Sequence, residues 1–261
     1  MAKPAKIFIH GLRRLLLPFG YRVVKESASL CFENLLGRML AARGGLTFVQ
    51  VGANDGRLND SLYPFLCRHR ARVEGLVVEP LPDVFSRLCR TYRRFPRVKP
   101  VNLAIHNSES RMKLYRVSPA AAGKLPRWTS GIASFRSDHH CLSRLSSEHI
   151  VAQEVDCVSL EELLGRHGLD RLDLLQIDAE GYDAEILFAL DFRRLAPSVI
   201  RFEHGLSQKI MNRAEFSRLV RFLDDGGYQV FLEKQNAVAY RVVEFLDFLI
   251  PEPGNSPAGT A

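Results

Sequence analysis

The sequence predicts an α/β fold, a mostly parallel sheet with helices packed on both of its faces, and three observations predict it. From Leu46 to Val242, short apolar segments rich in Val, Ile and Leu alternate with segments of helical periodicity, the pattern of strand–helix–strand units. A glycine-containing turn, Gly52-Ala53-Asn54-Asp55-Gly56, follows the first apolar segment directly. Carboxylates close later apolar segments, at Glu79, Asp178 and Glu203, and open α/β sheets bind their ligands at the carboxyl ends of the strands.

Taken in order, residues 1–45 read as a basic helical extension. Phe8, Leu12, Leu15, Leu16 and Phe19 recur at helical spacing over residues 3–17, and Pro18 with Gly20 ends the pattern. Ser27 or Ser29 can cap a second helix that carries Leu30, Leu35, Leu36, Met39 and Leu40 and closes at Gly44-Gly45. The main domain spans residues 46–250. Its expected strands are 46–51, 74–79, 98–105, 112–117, 153–158, 172–178, 198–203, 228–233 and 237–242. Its expected helices are 59–70, 82–93 with Pro82 in the first turn, 159–167, 182–190 and 214–225. The segment 118–150 is long, weakly periodic and holds the single tryptophan, Trp128, so it reads as a functional lid. Residues 251–261, rich in Pro, Gly and Ser, read as a disordered tail.

Composition narrows the function classes. The formal net charge is +7, yet residues 1–25 carry six Lys and Arg and no acid, leaving the remainder near neutral. That pattern argues against a whole-surface nucleic-acid binder and for a local basic extension. Such an extension suits peripheral contact with an anionic membrane, a homodimer contact or a docked cap. A second basic cluster, from Arg68 to Lys99, reads as solvated helix faces. Five cysteines without a Cys-x-x-Cys pair read as free thiols in a reducing compartment. No apolar run approaches the ~18 residues that span a bilayer, and a secretory signal is not expected. The expected location is cytoplasmic, with peripheral contact at the inner membrane face.

Three motifs carry the chemistry. Val51-Gly52-Ala53-Asn54-Asp55-Gly56 ends a strand with glycines that let backbone approach a ligand, ahead of free helix amides. It is not the Gly-x-Gly-x-x-Gly of dinucleotide sites, which counts against a nicotinamide-dependent oxidoreductase. Val77-Val78-Glu79-Pro80 places an acid at the end of the second strand, where a carboxylate accepts both ribose hydroxyls of a nucleoside. Ile177-Asp178-Ala179-Glu180-Gly181 puts two carboxylates on one side of a strand end, and one of them can instead cap the next helix.

Together these motifs resemble the FkbM family of S-adenosylmethionine-dependent methyltransferases, over about residues 47–240. The resemblance implies a class I methyltransferase, Rossmann-like, with a seven-stranded, mostly parallel sheet and S-adenosylmethionine lying across the ends of the first strands. It also implies that Gln50, Gly52, Asn54 and Gly56 line the methionine moiety, that Glu79 holds the ribose, and that Asn102 and Ala104 lie near the adenine. Gln50 departs from the family, which carries an acid there. A Gln amide accepts a hydrogen bond but lacks the charge that favours an ammonium, so weaker cofactor affinity is expected.

Acceptor chemistry is expected at the ends of the later strands. His204, beside Gly205, titrates near neutrality in its ordinary state and is a candidate general base together with Asp178. Glu180, Glu203 and Trp128 are candidates for binding the acceptor. The carboxylates are also rival bases or ligands for a divalent cation, but the reading calls for no metal. Neither the Asn/Asp-Pro-Pro-Tyr turn of exocyclic-amine methylation nor a Pro-Cys nucleophile is present. The expected function is methylation of a hydroxyl on a glycan, a lipid-linked sugar or a secondary metabolite. The alternative, prompted by Gln50, is a catalytically silent cofactor-binding scaffold of the same fold.

Overall fold

A computed structural model describes residues 30–246. The helix expected over 3–17, the basic contact surface of 1–25 and the tail from 251 lie outside the described residues. The first described helix, Phe32–Arg43, closes on Gly44 in the left-handed conformation, as its Gly-Gly stop predicts. Its N-cap is Cys31, so neither Ser27 nor Ser29 takes that place.

Seven strands form the central sheet: β1 (Leu46–Val51), β2 (Val73–Val78), β3 (Val98–Val101), β8 (Leu174–Ile177), β9 (Val199–Glu203), β10 (Tyr228–Glu233) and β11 (Asn236–Arg241). Their order is β3-β2-β1-β8-β9-β11-β10. Of these seven, β11 alone runs against the rest. The chain order reverses between β1 and β8, and at such a switch point the loops diverge and open a crevice. Register sets the site: Val51 of β1 pairs with Val78 of β2 and Ile177 of β8. Gly52, Glu79 and Asp178 therefore emerge side by side.

Alternation along the strands feeds two cores. Val49, Val51, Leu175, Ile177, Ile200 and Phe202 pack with the helices Leu160–His167, Asp183–Phe188 and Arg213–Asp225 on one face. Leu46, Phe48, Val77, Leu174, Val199 and Val238 pack with Phe32–Arg43, Tyr63–Arg68 and Pro82–Tyr92 on the other. Two of these helices carry side-chain caps that the sequence reading did not name. Ser159 accepts from Glu162 N at 3.1 Å, and Asn212 accepts from Glu215 N at 2.9 Å.

Two expected elements are corrected. The helix read as 59–70 shrinks to Tyr63–Arg68, because Asp60 Oδ1 accepts from Leu62 N (2.8 Å) and Tyr63 N (3.2 Å) and so closes a turn ahead of it. The strand read as 98–105 splits into β3 and β4 (Ala104–Ile105). Between them Asn102 Nδ2 donates to the carbonyls of Glu79 and Pro80, each at 2.9 Å, and turns the chain out of the sheet. β4 joins a second, four-stranded sheet with β5 (Arg111–Val117), β6 (Ala133–Ser134) and β7 (Ile150–Val158), in the order β4-β7-β5-β6.

The segment 118–150 is an ordered insert of short helical turns around β6. Two hydrogen bonds latch it to the end of β8: Ser134 Oγ donates to the Glu180 carbonyl at 2.7 Å, and His139 Nε2 lies 2.9 Å from Glu180 Oε2. Phe135 adds edge contacts to His106 and Tyr182, which stack on each other at 5.0 Å. Among the described residues no helix is long and apolar enough to cross a membrane.

Candidate functional site

The carboxyl ends of β1, β2 and β8 open into a cavity of about 200 Å³, roofed by Trp128, Ser130, Gly131, Ala133 and Phe135 of the insert. Gly52 forms its floor with φ +73°. A side chain there would overlap the Asp178 carbonyl, closer than the 3.0 Å that real Cβ atoms keep. The glycine therefore serves close approach of β1 to β8, where the sequence suggested approach of a ligand. Gly56 is a second correction: it lies outside the cavity, and a Cβ on it would press on Tyr92 and Leu88.

Glu79 is buried at the end of β2. Its Oε2 accepts from Asn54 N at 3.0 Å and its Oε1 from Leu81 N at 2.9 Å. A carboxylate accepts about four hydrogen bonds, so two acceptor directions remain, enough for the two hydroxyls of a ribose. Burial pushes this carboxyl up to about 7, against the pull of those backbone donors. Beside it, Leu81, Val84, Leu103, Ala104, Ile105 and Leu114 give an apolar wall suited to a flat base. Ala104 thus falls where the sequence placed it. Asn102 does not line the cavity, since its amide is spent bracing the turn after β2.

At the end of β8, Asp178 and Glu180 line the cavity. Asp178 is open to water through the cleft while protein surrounds it on nearly every side. Burial, and then the charges of Glu180 and Asp183, raise its carboxyl well above the usual range. Asp183 proves structural. Its oxygens accept from Ala179 N and Glu203 N, each at 3.0 Å, tying the ends of β8 and β9 together.

Glu203 ends β9 half-buried and stands outside the cavity. Burial, then Asp178, Glu180 and Asp183, push it up to about 9. The folded protein therefore holds a proton on Glu203 that the unfolded chain, near 4.5, has released. Stability should fall as pH rises between those values. Glu79 and Asp183, both near 7, complete their share by about pH 7. Over pH 7–9 Glu203 should carry the slope. Glu203→Gln, which mimics the protonated acid, should flatten the fall of the thermal transition of the free protein over pH 7–9. A slope equal to that of the wild type would remove Glu203 from the linkage.

His204 is corrected as well. It is buried outside the cavity, packed against Phe216 with ring centroids 5.5 Å apart. Its Nδ1 accepts from Leu206 N at 3.1 Å. Nε2 faces the Lys234 backbone without a well-formed hydrogen bond among the described residues. Burial lowers its affinity for a proton, so it is placed as a structural ring, away from the cavity carboxylates. Trp128 stands at the cavity rim, half-exposed.

The structure joins Gln50, already named from the resemblance, to residues that the motifs passed over. Gln50 of β1, Gln176 of β8 and Arg201 of β9 are cross-strand neighbours and line the cavity floor with Asp60 and Asn236. Their signal in the sequence is polar side chains interrupting apolar strands at the same register. His139 carries no such signal, because it meets Glu180 only through the fold of the insert. Among the described residues no group of three or more His, Cys, Asp or Glu is arranged to hold a metal ion.

The sequence matches the family model described as Methyltransferase FkbM domain over residues 50–230. No curated protein sequence matches the chain. Among solved structures, the chain is similar to the Podospora anserina methyltransferase PaMTH1 in its SAH-bound form, at 10% identity and TM-score 0.40, over 91% of this chain and 88% of that one. It is similar to a TehB-like SAM-dependent methyltransferase from Corynebacterium glutamicum, at 14% identity and TM-score 0.37, over 91% and 97%. A third similarity is to the fibrillarin pre-rRNA processing protein of Methanococcus jannaschii, at 11% identity and TM-score 0.39, over 76% of this chain and 66% of that one.

Proposed function

The chain belongs to the FkbM methyltransferase family, whose cofactor is S-adenosylmethionine, and from that premise we propose that it methylates a hydroxyl of a glycan, a lipid-linked sugar or a secondary metabolite. The observation that carries the reading is the pair Asp178 and Glu180, set in the same cavity as Glu79 and beneath the insert. S-adenosylmethionine supplies an electrophilic methyl group on a sulfonium. Glu79 holds the ribose through its two open acceptor directions, while Gly52 and Asn54 shape the turn beside it. Asp178, its carboxyl raised by burial, faces the cavity and is suited to accept the proton of an attacking hydroxyl. Glu180, hydrogen-bonded by His139, orients a polyol by accepting from it. Trp128 at the rim offers a face on which a sugar ring can stack.

The test is a set of acceptors (glycans, lipid-linked sugars and hydroxylated secondary metabolites) assayed for release of S-adenosylhomocysteine, with the product bond read by NMR. An O-methyl ether is expected. An N-methyl or C-methyl product would overturn the hydroxyl acceptor and leave methyl transfer standing.

The cofactor assignment has its own measurement. Glu79→Gln keeps the size of the side chain and removes the charge. It should weaken S-adenosylhomocysteine binding by about 1.5–3 kcal/mol, the worth of hydrogen bonds to a charged acceptor. Calorimetry showing unchanged affinity in a folded variant would move the ribose away from Glu79.

A further inference from the structure

We infer that Asp60 is the anchor for the α-ammonium of the cofactor's amino-acid end, supplying from the loop after β1 the carboxylate that Gln50 does not. The inference rests on the assignment of Glu79 to the ribose. S-adenosylmethionine joins an adenosine, through sulfur, to an α-amino acid that carries an ammonium and a carboxylate. With the adenosine on the apolar wall beside Glu79, the amino-acid end belongs past Gly52. There the lining turns polar, with Gln50, Asp60, Gln176 and Arg201.

Asp60 is built to meet a cation. Its Oδ1 accepts from Leu62 N and Tyr63 N, which fixes the carboxyl in place. Its Oδ2 is buried and has no hydrogen-bond partner among the described residues. The Gln50 side chain supports the carboxylate from alongside, but its Oε1 is likewise without a partner of good geometry. A Gln amide turned to donate would use one lone pair of Oδ2 and leave the other open. Across the floor, the Arg201 guanidinium also lines the cavity; its Nε makes no hydrogen bond among the described residues and lies 3.9 Å from Glu233 Oε2, an ion pair at longer range. The open acceptor of Asp60 in this polar end of the cavity matches the ammonium of an amino-acid zwitterion, with the Arg201 guanidinium lining the same cavity. Burial without such a partner raises the Asp60 carboxyl, and Gln50, the two backbone donors and Arg201 oppose the rise.

The test compares two ligands by isothermal calorimetry on the full chain. S-adenosylhomocysteine has the amino-acid end; 5′-methylthioadenosine keeps the adenosine and lacks that end. Asp60→Asn retains the Oδ1 acceptor that caps Leu62 and Tyr63. It should weaken S-adenosylhomocysteine roughly 10- to 100-fold and leave 5′-methylthioadenosine unchanged to within about twofold. Asp60→Ser, also a capping residue, gives the same comparison if the Asn variant does not fold. Equal weakening of both ligands, or of neither, overturns the assignment of Asp60 while the Glu79 site stands. Wild-type protein that binds neither ligand overturns both.

Discussion

Gly52→Ala is expected to lower the thermal transition by roughly 6–20 °C, or to leave the protein insoluble. Two costs add. At φ +73° an L-residue pays about 1–2 kcal/mol relative to glycine. The new Cβ would also overlap the Asp178 carbonyl, and the obstacle is backbone, which cannot swing aside as a side chain can. The ends of β1 and β8 would have to part, with loss of the 3.1 Å hydrogen bond from Asp178 N to Val51 O. A total of about 3–5 kcal/mol follows, and each kcal/mol is worth about 2–4 °C in a domain of this size. Gly131→Ala is the control. Its Cβ would meet only the Asn54 side-chain amide, at 2.9 Å, and that group can rotate. A circular-dichroism melt of Gly52→Ala that superimposes on the wild type would mean that β1 and β8 do not approach as described.

This location changes what the glycine motif signifies. The sequence suggested that Gly52 lets the backbone approach a ligand. In the structure the missing Cβ faces the neighbouring strand, so loss of binding in a Gly52 variant would report a damaged sheet. Glu79 and Asp60 are the better probes, because Gln and Asn replace their carboxyls without a change of shape.

The parts of the fold that depend on local chemistry were legible. Strand alternation, the Gly44 stop and the acids closing β2 and β8 each act over a few residues, and each stands where the sequence places it. What escaped depends on tertiary partners. The break between β3 and β4 turns on the Asn102 amide finding carbonyls more than twenty residues away. His204 looked available because it sits beside a glycine at a strand end. Its packing on Phe216 and its bond from Leu206 N are not encoded in that spacing. The row Gln50, Gln176 and Arg201 could have been found, since three polar residues at one register in apolar strands require a common reason. Asp183 follows the quoted motif by two residues, but only the meeting of β8 and β9 shows it as a brace.

With an acceptor in hand, Asp178→Asn should lower turnover by about 100- to 10,000-fold, the usual range for loss of a general base, with S-adenosylhomocysteine affinity nearly unchanged. Asp178 faces the cavity beside Gly52, and an amide of the same shape keeps the packing and removes the proton acceptor. Because burial and neighbouring charges raise its carboxyl, the wild type should gain activity as pH rises through that elevated value. The variant should lose this limb of the profile. His204→Phe supplies the contrast. That ring lies outside the cavity against Phe216, so the substitution should cost stability, through the lost acceptor for Leu206 N, and leave turnover per folded molecule close to wild type. A wild-type rate and pH profile in Asp178→Asn would pass the proton to Glu180 or to water. A large loss in a well-folded His204→Phe would instead return the base to the histidine and require the end of β9 to open toward the cavity.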